Sequence, residues 1–153
     1  MNKLADNSSL NKSVPVYTLS VASGLAEIPS HSIMQYINKG LIIPFKKDSS
    51  RNLFSDVDIS RLKHIRYQLE TLGLNIACIK SLLALVPCWA IRECSDEDRV
   101  ICEAYQSSTQ PCWEASKKGT KCKNSDCRQC DVYILPETYS DLKVLYQRFI
   151  PGP

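Results

Sequence analysis

Seven of the eight cysteines in this 153-residue chain fall between Pro87 and Tyr133, and their order repeats. Pro87-Cys88-Trp89 is followed by Cys94, by Cys102 eight positions later and by Tyr105. Pro111-Cys112-Trp113 is followed by Cys122, by Cys130 eight positions later and by Tyr133. The second copy has four more residues before its middle cysteine and one extra cysteine, Cys127, which forms a Cys-x2-Cys bite with Cys130. Both tryptophans of the protein occupy matching slots. Self-similarity of this kind marks a duplicated unit rather than core filler.

No histidine lies between residues 88 and 133, so a metal held there is held by thiolates. Four thiolates make a structural zinc site or anchor an iron–sulfur cluster. Cys112, Cys122, Cys127 and Cys130 are the tightest set, and Cys88, Cys94 and Cys102 are three further candidate ligands. Seven exceeds one four-ligand site by three. The surplus points to a second site, completed by Cys78, a non-cysteine ligand or another subunit, or to thiol–disulfide switching without metal. Cys78 precedes the repeat, in a helical stretch, and reads as core. Lys117, Lys118, Lys121, Lys123 and Arg128 near the second copy would favour thiolates; the plainer reading is a solvated loop. The two tryptophans and their tyrosines are expected to form a small core over each copy. The doubled Pro-Cys-Trp pattern resembles the "two-CW" cysteine modules of anaerobic bacteria.

The elements that position this stretch follow from the rest of the chain. A hydrophobic share of 44% and a charged share of 23% belong to a globular protein. No run approaches the ~18 apolar residues of a membrane span. The N-terminus has no apolar stretch after its first lysine, so no secretory signal is expected, and residues 1–15 read as a disordered arm. A cytoplasmic location follows as an expectation, and there thiols stay reduced. The net charge of +3 is unevenly placed. Residues 1–86 carry 10 Lys and Arg against 6 Asp and Glu; residues 87–153 carry 9 against 10. An anionic partner such as DNA would meet the first half.

In that half, Thr18 is a helix cap, and Pro29 suits the first turn of a second helix. Ile33, Tyr36 and Ile37 make its apolar face, and Gly40 stops it. Two short helices joined by a tight turn form a helix-turn-helix. Leu41 to Phe54, with Lys46, Lys47 and Arg51 around a polar turn, reads as a hairpin wing. Ser55 caps a helix with Ile59, Leu62, Ile65, Leu69 and Leu72 on one face. Asn75 caps another, with Ile76, Ile79, Leu82, Leu83 and Val86 as its stripe, and Pro87 ends it.

Residues 16–86 resemble the winged-helix DNA-binding domain of the MerR family of bacterial transcription regulators. The resemblance rests on Tyr17-Thr18-Leu19, Ile28, Ile33, Tyr36, Lys39-Gly40-Leu41-Ile42, Pro44 and Arg51-Asn52-Leu53-Phe54-Ser55. It continues through Asp58-Ile59, Arg61-Leu62, Ile65, Leu72-Gly73-Leu74 and the Ile79–Leu83 helix. Met34-Gln35-Tyr36 stands where the family usually has Arg-Tyr-Tyr, and Asn52 stands where it has the wing arginine, with Arg51 before it. The Cys-x2-Cys-x-Cys motif of SoxR-type iron–sulfur regulators is absent, and so is a long helix pairing two subunits.

The resemblance implies promoter double-stranded DNA and RNA polymerase as partners, a homodimer, and regulation by distorting the promoter. The DNA-contact candidates are Thr18, Ser30, His31, Gln35, Tyr36, Asn38, Lys46, Lys47, Arg51, Asn52, Arg61 and Arg66. Of these, Gln35 and Asn38 suit base edges, and the basic residues suit backbone phosphates. The expected architecture is mainly α. A winged helix-turn-helix (16–86) is followed by an irregular, duplicated cysteine-rich metal-binding module (87–134) and a short C-terminal helix and tail (135–153). Leu142, Leu145, Tyr146 and Phe149 form an apolar stripe on that helix, assigned to a dimer contact ahead of docking on the module. The expected function is DNA-binding regulation with metal or redox sensing through zinc or an iron–sulfur cluster, not enzymatic catalysis. The alternative is a regulator with a constitutive structural zinc module. A thiol oxidoreductase has only Cys127-x2-Cys130 in its support, with no βαβ pattern around it.

Overall fold

The computed structural model describes residues 12–48, 50–138 and 142–152; most of the expected N-terminal arm, residues 1–11, lies outside the described residues. The chain divides into two compact units, with the break after Tyr67.

In the first unit, strand β1 (Tyr17–Thr18) leads into helix α1 (Leu19–Ala26). Thr18 caps the helix, its Oγ1 accepting from the Val21 N–H at 3.4 Å. A turn at Glu27, left-handed at φ 58°, leads to helix α2 (Ser30–Asn38). The turn is held by Ser23, whose carbonyl accepts from the Ile28 N–H at 3.1 Å and whose hydroxyl donates to the Ile28 carbonyl at 2.5 Å. Gly40 takes φ 78°, and the Leu41 N–H then closes back on the Tyr36 carbonyl at 3.0 Å. Glycine is the residue that takes this left-handed conformation without steric cost.

Strands β2 (Phe45–Lys47) and β3 (Arg51–Phe54) form the wing, and β3 also pairs with β1, giving the antiparallel order β1-β3-β2. Helix α3 (Asp56–Glu70) follows. Ser55 starts it through a reciprocal box. Its hydroxyl accepts from the Asp58 N–H at 3.2 Å, while the Asp58 carboxylate accepts from the Ser55 N–H at 2.8 Å. Both residues are buried, so each satisfies the other's polar group. Ile33, Leu41, Phe54 and Leu62 are fully buried in this unit. Each such side chain contributes about 1.5–3 kcal/mol relative to exposure.

The second unit begins in the last turn of α3. Helix α4 (Ile76–Ala84) is capped by Asn75, whose side chain accepts from the Cys78 N–H at 2.8 Å. The duplicated stretch is more regular than the expected irregular module, but only in its first copy. That copy folds as three short helices, α5 (Cys88–Ile91), α6 (Asp96–Ile101) and α7 (Glu103–Gln106). The second copy is built from 3₁₀ turns at Cys112–Glu114 and Cys127–Gln129. Helix α8 (Asp131–Thr138) and helix α9 (Leu142–Phe149) complete the unit.

The stripe on α9 is used within the chain, which corrects its assignment to a dimer contact. Leu145 is 1% exposed and forms a core with Val86 and Val132, against which Leu142 and Phe149 pack. The Tyr146 hydroxyl donates to the Leu85 carbonyl at 2.6 Å. The physical reason is that Val86 and Val132 offer the stripe an apolar surface within its own chain.

Candidate functional site

The helix-turn-helix presents one polar face. His31, Gln35 and Asn38 of α2 are exposed, Ser30 is half-buried at its start, and Thr18 is exposed at the start of α1. In the wing, Lys46, Lys47 and Arg51 are exposed, with Lys47 directly opposite Arg51 across the strand pair. Like charges placed opposite each other repel, and an anion between them would relieve that repulsion. Asn52 is half-buried, and its amide donates to the Met34 sulfur at 3.8 Å, so it ties the wing to α2.

Two candidate contacts, Tyr36 and Arg61, are corrected by their burial, and a third, Arg66, has a partner within the chain. Tyr36 is 7% exposed, because its ring belongs to the apolar face of α2 with Ile33. Arg61 is 4% exposed on the inner side of α3, between the buried Ile59 and Leu62, and so presents no cation to a phosphate. Arg66 donates from Nη1 to the Glu27 carbonyl, clasping the turn between α1 and α2. Nearby, His64 has a pKa lowered by burial and then by the Arg61 charge. Tyr17 has a raised pKa, chiefly because its hydroxyl donates to Asp56 at 2.8 Å.

In the second unit the repeat is structural as well as sequential. Pro87 and Pro111 are both buried, and each is followed by a helical turn that begins at its cysteine. Trp89 meets Tyr105 edge to face, with centroids 5.4 Å apart; Trp113 meets Tyr133 the same way at 5.0 Å. The expected aromatic pair forms in each copy, but only the second is part of a core: Tyr133 is buried, whereas Tyr105 is exposed. Cys102 and Cys130 each stand immediately before a helix, with buried Ala104 and Val132 two residues on.

These elements bring all seven cysteines of the repeat to one cavity of about 40 Å³. Cys78, on α4, is half-buried rather than core and is not among its lining residues. All eight cysteines are free thiols of intermediate exposure. Among the described residues, no three His, Cys, Asp or Glu side chains are gathered so as to hold one metal ion between them. The thiols instead surround a space. Burial, and then the neighbouring Cys102, Cys94 and Cys122, pushes the Cys88 thiol up to about 12. Burial raises Cys112 further, with Cys88, Cys130, Cys127 and Cys122 adding to it. Cys94 and Cys130 are also raised, each chiefly by burial.

Cations stand close to the thiols, Arg92 and Lys118 among them. Arg92 is anchored by donating to the Lys121 carbonyl at 2.7 Å and to Ser125 Oγ at 3.1 Å. Burial works against its charge, but Cys130, Cys122 and Cys94 outweigh that and raise its pKa. Lys118 Nζ lies 3.5 Å from Cys127 Sγ. Ser125, Lys118 and Lys121 line the same cavity, and both lysines belong to the basic set marked in the sequence; Arg92, whose charge is felt by Cys94, Cys122 and Cys130, had no spacing signal.

The halves are joined at Asp98, whose carboxylate accepts from the Thr120 hydroxyl and from its N–H at 3.3 Å. These bonds and those from Ser95 hold its pKa below the usual carboxylate range, the Thr120 hydroxyl most of all. Gly119 is buried against the same residue; a Cβ there would come within 3.0 Å of the Asp98 carbonyl. Lys80 on α4 pairs with Glu114, next to Trp113, at 2.9 Å.

A helix-turn-helix followed by a two-stranded basic wing defines the first unit as a winged helix-turn-helix. Residues 17–85 match the family model described as the MerR HTH family regulatory protein, and this segment is a MerR-family helix-turn-helix domain. A protein of Streptomyces coelicolor named as the heat shock protein HspR is 30% identical over 76 residues, which cover 50% of this chain and 50% of that protein. The HTH-type transcriptional regulators GlnR of Bacillus anthracis and Bacillus cereus are 30% identical over 74 residues, covering 48% of this chain and 57% of theirs. The chain thus spans about half the length of the curated relatives it matches. Among the described residues, no helix is long and apolar enough to cross a membrane.

Proposed function

We propose that this protein is a sequence-specific DNA-binding transcriptional regulator, and not an enzyme, whose cysteine module senses metal or redox state through a thiolate-bound centre. The observation that carries the reading is the joining in one chain of a MerR-family domain and a cavity ringed by seven thiols. Exposed Gln35 and Asn38 would read base edges in the major groove, and Lys46, Lys47 and Arg51 would hold phosphates. The donor set suits a thiophilic centre: seven thiols line the cavity, no histidine lines it, and nearby cations, Arg92 and Lys118 among them, would offset the charge that ionised thiols bring. Such a centre would supply the signal chemistry, binding or losing metal, or changing oxidation state.

Helix α4, the last helix of the family-matched segment, is tied to the module. Its Lys80 pairs with Glu114, two residues from Cys112, and the Leu85 carbonyl just beyond it is bonded to Tyr146. A change of ligation that moves the Cys112 turn would move α4, which belongs to the family-matched segment. Ligated and unligated modules must differ in their preferred arrangement for any signal to pass.

The test is promoter-DNA affinity of the full chain with the module loaded, stripped by a chelator, or oxidised. Specific binding that changes several-fold between these states supports the reading. Specific binding identical in all three removes the sensing role and leaves a DNA-binding protein with a structural module. The absence of specific DNA binding removes the regulator itself.

A further inference from the structure

We infer that the cavity takes an iron–sulfur cluster held jointly by both cysteine repeats, with Cys122 as the thiol placed between them. The inference rests on the reading of the module as a thiolate-bound centre and names the chemistry of that centre. A single zinc ion at ~2.3 Å from each sulfur requires its thiolates to stand about 3.8 Å from one another. No three thiols among the described residues are gathered for one ion, although all seven line the same cavity. A site that is wide and many-ligand at once is completed by a core with its own volume. Inorganic sulfide bridging several irons supplies that volume and sets the thiolates apart around it. The cavity of about 40 Å³ exceeds the ~10–15 Å³ that admits one water-sized probe.

The neighbourhoods of the thiols show why the two repeats act together. Cys88 faces Cys94 and Cys102 of its own copy and Cys122 of the other. Cys112 faces Cys127, Cys130 and Cys122 of its own copy and Cys88 of the other. Cys122 thus belongs to both groups, and Arg92, a first-copy residue, is held beside the second copy by donating to the Lys121 carbonyl at 2.7 Å and to Ser125 Oγ at 3.1 Å. The first copy has three thiols and reaches a fourth only by crossing to the other copy; the second has four, Cys112, Cys122, Cys127 and Cys130, and all seven line the one cavity. Thiols that ligate iron release their protons to solvent, and Arg92 and Lys118 remain to balance the thiolates.

The experiment uses the full chain purified without oxygen, and a second sample reconstituted with ferrous iron and sulfide. The expected result is iron and acid-labile sulfide in near-equal amounts, with a visible absorption band that dithionite bleaches. Cys122→Ser is expected to lose more than half of the iron. Cys94→Ser and Cys127→Ser, one from each repeat, are each expected to lower it. Cys78→Ser, outside the cavity, is expected to retain all of it. Near-ultraviolet circular dichroism of the two tryptophan–tyrosine pairs reports whether each variant is folded. If Cys122→Ser does not fold, the Cys94→Ser and Cys127→Ser pair decides.

A colourless chain that holds zinc, or none of either metal after reconstitution, overturns the inference. So does a folded variant in one repeat that retains full iron while the other loses it. DNA affinity separates this inference from the wider reading. A cluster that leaves DNA binding unchanged keeps the cluster and removes the sensor. Zinc that shifts DNA binding keeps the sensor and removes the cluster.

Discussion

At the residue scale, neighbours on α2 have opposite roles. Gln35 is exposed and Tyr36 is buried, although they are adjacent in sequence. Gln35→Ala is therefore expected to leave the melting temperature unchanged and to lower discrimination for the operator by about 1–3 kcal/mol, read by competition binding against unrelated duplex. Tyr36→Ala is expected to cost the ~3–5 kcal/mol typical of a buried aromatic, read by urea unfolding, and to weaken DNA binding only through loss of fold. Equal effects of the two on stability would contradict the placement of Tyr36. His64 offers a pH test. Its folded pKa lies below the ordinary value of 6.5, first because it is buried and then because Arg61 is near. The unfolded chain therefore takes up a proton that the folded chain resists. The stability of the native state is complete above pH 6.5 and declines as pH falls through that value toward the lower folded pKa. His64→Gln is expected to flatten this decline in urea midpoints measured on either side of pH 6.5; an unchanged slope would contradict it.

At the element scale, the wing and the caps show what could be read in advance. Thr18, Ser55 and Asn75 were legible as caps because a cap depends on residues two or three positions away, and the structure places a hydrogen bond at each. The hairpin wing was legible from its polar turn between two apolar stretches. Asn52, Arg61 and Arg66 were not, because their partners or burial are set by residues distant in sequence. Met34 is 18 positions from Asn52, and Glu27 is 39 from Arg66. A basic residue marks a charge but not the direction in which it points. What the wing retains is Lys46, Lys47 and Arg51, all exposed. Each phosphate contact removed should lower the slope of log affinity against log salt by about 1. Lys47→Ala is accordingly expected to flatten that slope and to weaken specific and unrelated DNA alike, measured by fluorescence anisotropy over a salt series. An unchanged slope would remove Lys47 from the interface.

At the scale of the whole molecule, the chain is two units, and the break after Tyr67 does not follow the end of the family-matched segment at residue 85. The sequence suggested a boundary near Pro87 because the residue pattern changes there. The structure assigns α4 to the same unit as the thiols because Lys80, Leu85 and Val86 bond or pack against the module and α9. The place of α9 was likewise out of reach of the sequence, since an apolar stripe has the same spacing whether it meets its own chain or a second copy. This gives the molecule a separable readout: both tryptophans, Trp89 and Trp113, belong to the second unit. Leu145 is 1% exposed in the core that backs Cys88, Cys112 and Cys130. Leu145→Ala is expected to cost that unit about 2–5 kcal/mol, the range for a buried leucine whose cavity only partly collapses. Tryptophan fluorescence should then lose its native signal at lower urea, while the unfolding midpoint of the first unit, followed by far-ultraviolet circular dichroism in a fragment ending at Tyr67, is the reference for a second, unshifted transition. Loosening the wall behind three thiols should also lower the module's metal content. A single transition that moves as a whole would show that the two units unfold together; a fluorescence midpoint that does not move at all would return α9 to the role of a surface for a second chain.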